Sequence, residues 1–185
     1  SVHLACPTLF SELILGPIVA EFMRATPQVR VTLDAVNRMV DVIDEGYDAV
    51  FRVRTQIDDS SLVVRSFGLG GQRLVASVAF LDAHGRPRSP DRLAGLDSLA
   101  TAMGTVHGRH LWQLSGPRGK GERVIEHHPR LVTDDMLTLK RAALLGLGVV
   151  LLPEFLCADA IASGQLEAVL PAWECAPGNV HAVYP

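Results

Sequence analysis

The side chains that could carry chemistry here are seven histidines, three cysteines and a scatter of acids. His107 and His110 stand three apart, and His127 and His128 are adjacent. Zinc needs three or four converging donors, and no thiol or acid cluster accompanies either pair. They read as turn or surface histidines. Cys6, Cys157 and Cys175 are odd in number and widely spaced, which suits neither a disulfide framework nor a zinc site; they read as buried core thiols. Asp134-Asp135 resembles an acid pair, but capping of a following helix accounts for it. Gly116-Pro117-Arg118-Gly119-Lys120-Gly121 has the look of a phosphate loop. Its glycine spacing is too short, and Gly121 stands where a Ser or Thr would hold magnesium. The segment reads as a turn. No G-x-S-x-G elbow is present, and no G-x-G-x-x-G joins a strand to a helix. We therefore expect no catalytic residue, no metal ligand and no cofactor, and no enzyme.

The elements that would position any site alternate between strand and helix. Val2, Leu4 and Cys6 alternate as a strand. Leu9, Phe10, Leu13, Ile14, Ile18 and Phe22 then recur at helical spacing, with a bend expected at Gly16-Pro17 and a stop at Thr26-Pro27. Val29 to Ala35 is a second strand, 38–45 a short helix ended by Gly46, and Ala49 to Val53 a third, apolar strand expected to be buried on both faces. The segment to Asp59 reads as a polar loop. Two strand-like runs between Leu62 and Ser77 flank Gly68, Gly70 and Gly71, where one long strand could bend or cross between lobes. A helix over 79–84, a Ser89-Pro90 helix start, and short strands at 98–102, 110–114, 122–126 and 130–133 follow. Asp134 or Asp135 opens the clearest helix, which Gly146 stops. Then come a strand over 148–153, a helix over 154–163, and strands at 166–170 and 179–184. This alternation argues an α/β fold with mostly parallel sheets.

The composition fits. Of 185 residues, 48% are hydrophobic and 20% charged, the balance of a globular chain of one domain or two small lobes. No apolar run approaches the ~18 residues that span a bilayer, and no signal peptide is visible. The net charge of −3, with bases scattered rather than striped, argues against a nucleic-acid-binding surface. A cytoplasmic location is expected.

The motifs fall into a known order. The run Val40-Asp41-Val42-Ile43-Asp44-Glu45-Gly46-Tyr47-Asp48-Ala49-Val50-Phe51-Arg52 is followed by Asp59-Ser60-Ser61-Leu62-Val63-Val64-Arg65-Ser66-Phe67. Leu74 to Leu93, Trp112-Gln113-Leu114, Ala142 to Pro153, Ser163 to Trp173 and the closing Val183-Tyr184-Pro185 complete the series. In number, order and spacing these segments resemble the co-inducer-binding domain of LysR-type transcriptional regulators over essentially the whole chain. Val78 and Phe80 depart from the family's usual Pro and Tyr, and Arg54 stands where a small residue is usual.

The resemblance implies a type-2 periplasmic binding protein fold: two Rossmann-like α/β lobes joined by two crossover strands. It implies lobe I at 1–69 plus 154–185 and lobe II at 73–150, with crossovers at 68–71 and 148–153. The winged helix-turn-helix that reads DNA in this family is absent from this chain. A small-molecule effector, most simply an organic anion, would bind in the interlobe cleft, beyond the carboxyl ends of the strands. From lobe I the expected contacts are Pro7, Thr8, Leu9 and Phe10 at a helix N-terminus, then Asn37, Arg38 and Met39, then Arg52. From lobe II they are Thr101, Ala102, Met103, Thr133 and Asp134. Three of these have second readings: Thr8 as a helix cap, Arg38 as a solvated charge, and Arg52 as a structural partner of Asp48 or Glu45. The resemblance also implies a homodimer or tetramer, with the apolar faces of helices 9–24 and 135–145 as candidate contacts, DNA reached only through the missing domain, and no membrane partner. The alternative is an extracytoplasmic solute-binding protein of a transporter.

Overall fold

The computed structural model describes residues 1–54, 62–68, 70–102, 105–119 and 121–185. The chain divides into two compact units, 1–69 with 178–185 and 70–177.

In the first unit, strands β1 (Val2–Cys6), β2 (Val31–Ala35), β3 (Ala49–Arg54) and β4 (Val63–Gly68) form a five-stranded sheet with β14 (Asn179–Tyr184). Its order is β2-β1-β3-β14-β4. β1 runs parallel to β2 and β3, whereas β14 runs antiparallel between β3 and β4. Ala5, Val40, Val42, Tyr47, Val50 and Val183 make its core. From Ala49 to Val53, Val50 is buried and the other four residues are half-buried, so this strand is less enclosed than its apolar sequence implies.

The first helix begins as α1 (Thr8–Phe10), passes through a π turn at Ser11–Leu15 and continues as α2 (Gly16–Ala25). Pro17 has no N–H for the carbonyl four residues back. The chain answers with a π turn in which the Gly16 N–H reaches the Ser11 carbonyl. A Cβ on Gly16 would lie 2.6 Å from that carbonyl oxygen, so the expected bend is a local widening that requires glycine.

The helix expected over 38–45 is a single turn. The Asp41 carboxylate accepts the Ile43 and Asp44 N–H groups, and Glu45 accepts the Asp41 N–H. Side chains have taken over the bonds that a helix would make, as short acidic side chains do.

In the second unit, β5 (Gln72–Ser77) lies between β11 (Val150–Pro153) and β12 (Leu166–Ala168), antiparallel to both. β6 (Ser98–Ala100) pairs in parallel with β10 (Pro129–Val132) and joins β11 through a bridge from Ser98 to Val149. A second sheet has β8 (Arg109–Ser115) paired with β7 (Thr105–Val106) and β13 (Glu174–Cys175) and with β9 (Glu122–His127). Helices α3 (Val78–His84), α4 (Met136–Leu144) and α5 (Glu154–Ala162) complete the unit. Ser77 caps α3 through the Phe80 N–H, and Asp135 caps α4 through the Leu137 N–H.

Residues 154–177, expected in lobe I, lie in the second unit: α5 follows β11 directly, β12 pairs with β5, and β13 with β8. The second passage between units therefore falls at 177/178 instead of 148–153. The 148–153 run is apolar because it is an inner strand.

Of the histidines expected at the surface, His107 and His128 are exposed, but His127 is not. Period two along β9 turns His127 to the side of Ile125, and both are buried. His127 stacks on Trp112 at 3.7 Å.

Gly148 decides how β6 meets β11. A Cβ there would sit 2.5 Å from the Asp97 carbonyl oxygen, the acceptor of the Val149 N–H at 2.9 Å. Gly148→Ala is expected to cost about 1–3 kcal/mol of stability through this overlap. Urea midpoints would measure it; a change under about 0.5 kcal/mol would show that the two backbones can part freely.

Candidate functional site

The first cluster sits at the carboxyl ends of β1 and β2. Their register sets Cys6 beside Ala35, so Pro7 and Val36 leave the sheet at one edge, and the Val36 N–H bonds the Cys6 carbonyl. One residue on, Asn37 Oδ1 accepts the Thr8 N–H at 2.9 Å. The helix cap is therefore Pro7, which makes no side-chain bond, and the capping role read for Thr8 is supplied by Asn37 from the neighbouring strand. Thr8 itself is exposed. The first-turn N–H groups carry the positive end of the helix dipole toward this edge. The Phe10 ring meets Phe51 of β3 with centroids 5.6 Å apart, a contact that the sequence did not single out.

Arg38 is not a simply solvated charge. Its guanidinium grips Glu45 through two bonds of 2.9 and 2.6 Å and also donates to the Met39 carbonyl. The pairing, with the Asp41 N–H, holds the Glu45 carboxyl down at about 2. Bidentate geometry of this kind fixes a side chain more firmly than a point contact.

Arg52 differs. It pairs with neither Asp48 nor Glu45: Asp48 accepts the His3 N–H and Glu45 takes Arg38. Its Nη2 donates to the Val40 carbonyl at 2.8 Å, and its Nε–H is buried without an acceptor among the described residues. Successive residues of a strand alternate faces, so Arg52 projects on the side opposite Phe51. Across the sheet it is level with His181 of β14, which is level with Ser66 of β4. Ser66 Oγ and His181 Nδ1 are 2.7 Å apart. This polar row escaped the sequence reading because nothing in the spacing of Ser66 and His181 announces it.

The second cluster lies at the carboxyl ends of β6 and β10, set level by the pairing of Ala100 with Val132. The Thr133 N–H bonds the Ala100 carbonyl at 3.1 Å, which places Thr101 and Ala102 beside Thr133 and Asp134. Thr133 Oγ1 accepts the Asp135 N–H, and the Thr105 hydroxyl donates to the Ala102 carbonyl. Met103 lies outside the described residues. At the other end of β6, Ser98 Oγ meets His127 Nδ1 at 2.8 Å.

Ser98 and His127 look like two members of a hydrolase triad, but their exposures of 0% and 3% keep any substrate away, and among the described residues no carboxylate is bonded to the imidazole. Among the described residues no three His, Cys, Asp or Glu side chains group as metal ligands. What the two clusters offer is recognition: N–H groups, hydroxyls and a guanidinium at strand ends.

The whole chain, residues 1–185, matches the model of the LysR substrate binding domain. The chain belongs to that family. The activator AaeR of Escherichia coli is 29% identical over 184 residues, covering 100% of this chain and 58% of AaeR. An HTH-type transcriptional regulator of Haemophilus influenzae is 29% identical, covering 98% of this chain and 62% of that protein. This LysR domain thus spans about three-fifths of the length of these curated relatives. The regulatory domain of AphB from Vibrio vulnificus superposes with a TM-score of 0.80 at 25% identity, over 100% of this chain and 90% of that one. CrgA of Neisseria meningitidis gives 0.75 at 26%, over 99% and 60%. The LysR domain has their mixed α/β, type-2 periplasmic-binding-protein-like fold, and its relatives are named as transcriptional regulators. In this family it is the effector-binding domain.

Burial holds His127 down at about 4 against an ordinary 6.5. The folded state therefore binds fewer protons than the unfolded chain between these values. Stability should fall as pH drops from 6.5 toward 4. His127→Phe is expected to flatten that slope in denaturation midpoints taken across the range; an unchanged slope would assign it to other groups.

Proposed function

We propose that this chain is the effector-sensing regulatory domain of a cytoplasmic, LysR-type DNA-binding regulator, and that its effector is a small organic anion held in the interlobe cleft characteristic of the family. The match from first residue to last supports the regulatory role. The anionic class rests on one observation, the Arg52 guanidinium, whose Nε–H is buried without an acceptor among the described residues. A buried donor left unpaired is costly, and more so when charged. A carboxylate supplies both the missing acceptor and the opposite charge, in a geometry matched to a guanidinium. The Thr8–Asn37 helix start and the Thr133 strand end are the other proposed contacts.

Signal output then requires that the effector favour one arrangement of the regulator over another. DNA contact belongs to another part of the full-length protein, consistent with the helix-turn-helix naming of relatives that this chain covers only in part. Pairing with a second copy is proposed through the first helix. Leu13, Ile18, Phe22 and Met23 are exposed on it, and Leu15 alone of the residues from Thr8 to Ala25 is buried. An exposed apolar stripe of that length on a soluble domain marks an interaction surface.

Calorimetric titration against aromatic and dicarboxylic acids tests the effector class. An acid should bind, and Arg52→Met should weaken it at least about tenfold, as loss of a charged hydrogen bond does. Binding of a neutral compound with uniform failure of the acids would overturn the reading. For assembly, light scattering should report a dimer that Ile18→Glu with Phe22→Glu converts to monomer. A parent chain that is monomeric at high micromolar concentration would remove the helix from consideration.

A further inference from the structure

The segment joining α3 to β6 encloses an open depression of about 630 Å3, lined from His84 to Leu96. That volume falls within the range of small-molecule pockets. Its wall is firmly held. Pro90 and Leu93 are buried, and Leu96 packs against the core of the second unit. Arg86 is forked onto Glu167 of β12 by bonds of 2.6 and 2.9 Å and onto Asp82 of α3 by one of 2.9 Å. Two carboxylates thus neutralise Arg86 and tie the segment to two neighbouring elements.

Arg88 and Arg92 line the same depression, are exposed, and make no ion pair among the described residues. Besides these and the paired Arg86, the lining carries the Asp91 carboxylate. The segment feeds the amino end of β6, the opposite end from Thr101 and Ala102. It is therefore separate from the strand-end clusters.

We infer that this depression is a second ligand site, taking a compact dianion (a phosphate or a small dicarboxylate) between Arg88 and Arg92. A guanidinium presents paired donors that match two oxygens of such a group. The fixed wall keeps the ordering cost of binding low. With Asp91 beside them the two guanidinia keep a net positive charge, which attracts a dianion more strongly than a monoanion, and a dianion can engage both guanidinia.

Amide NMR spectra of the isotope-labelled chain, titrated with inorganic phosphate, succinate and acetate, test the site. Phosphate or succinate should shift amides of 84–96 saturably below about 10 mM, a concentration that fills a millimolar site, and acetate should not. A response to phosphate alone identifies a phosphate group as the natural ligand; a response to succinate identifies a dicarboxylate. Arg88→Ala with Arg92→Ala should weaken the response at least about tenfold, and Asp91→Asn should strengthen it. Arg52→Met should leave it unchanged, which separates this site from the effector reading. The inference fails if neither dianion gives a saturable shift in 84–96, if acetate matches them, or if the double variant binds as the parent does.

Discussion

The first unit is closed by the last strand of the chain. β14 lies between β3 and β4 and bonds to both, with Val183 level with Val50 on one side and Val64 on the other. Without it β4 has no partner in that sheet. The unit is therefore discontinuous in sequence, and the whole second unit, 70–177, is an insertion between β4 and β14. Closing so long a loop costs entropy that grows only slowly with length, but the pairing is non-local, and non-local pairing slows folding. The same strand brings His181 level with Arg52 and buries Val180 and Val183. The polar row beside the candidate site thus depends on the closing strand as fully as the core does.

The strand ends gain their groups through parallel pairing. Parallel neighbours finish at a common edge, so side chains far apart in sequence gather there without any direct link. Thr8 and Asn37 meet because Cys6 and Ala35 are level; Ala100 and Thr133 meet because β6 and β10 are level. Each pair is stabilised by one hydrogen bond across the edge, and each leaves polar groups facing outward from it.

Much of this was legible in the residues. Period two marked β1 and β2, helical spacing marked α4, and the ordered motifs named the family. What failed has physical reasons. The acidic turn 41–46 carries helix-forming residues, yet Asp41 and Glu45 bond backbone N–H groups directly and no second turn forms. An apolar run such as 150–153 is alike in a crossover and in an inner strand, so periodicity could not place the unit boundary. His127 read as surface because isolated imidazoles usually are, whereas strand alternation and the Trp112 ring enclose it. Arg38 and Arg52 were indistinguishable as types; only the fold assigns Glu45 to one and leaves the other without a carboxylate among the described residues.

That division among arginines governs where the domain can recognise anything. Arg38, Arg73, Arg86, Arg109 and Arg130 are each paired with a carboxylate. Exposed pairs of this sort contribute little stability. Their effect is instead to fix loops and cross-strand positions and to withdraw those guanidinia from ligands. The net charge is −3, so the domain as a whole does not draw in an anion. Long-range attraction is therefore weak, and recognition must come from short-range geometry at the exceptions. Arg52 is such an exception because its Nε–H is buried and has no acceptor among the described residues. In the proposed effector reading a ligand oxygen would satisfy that donor, and selectivity would rest on shape and on this one group, not on the field of the whole domain.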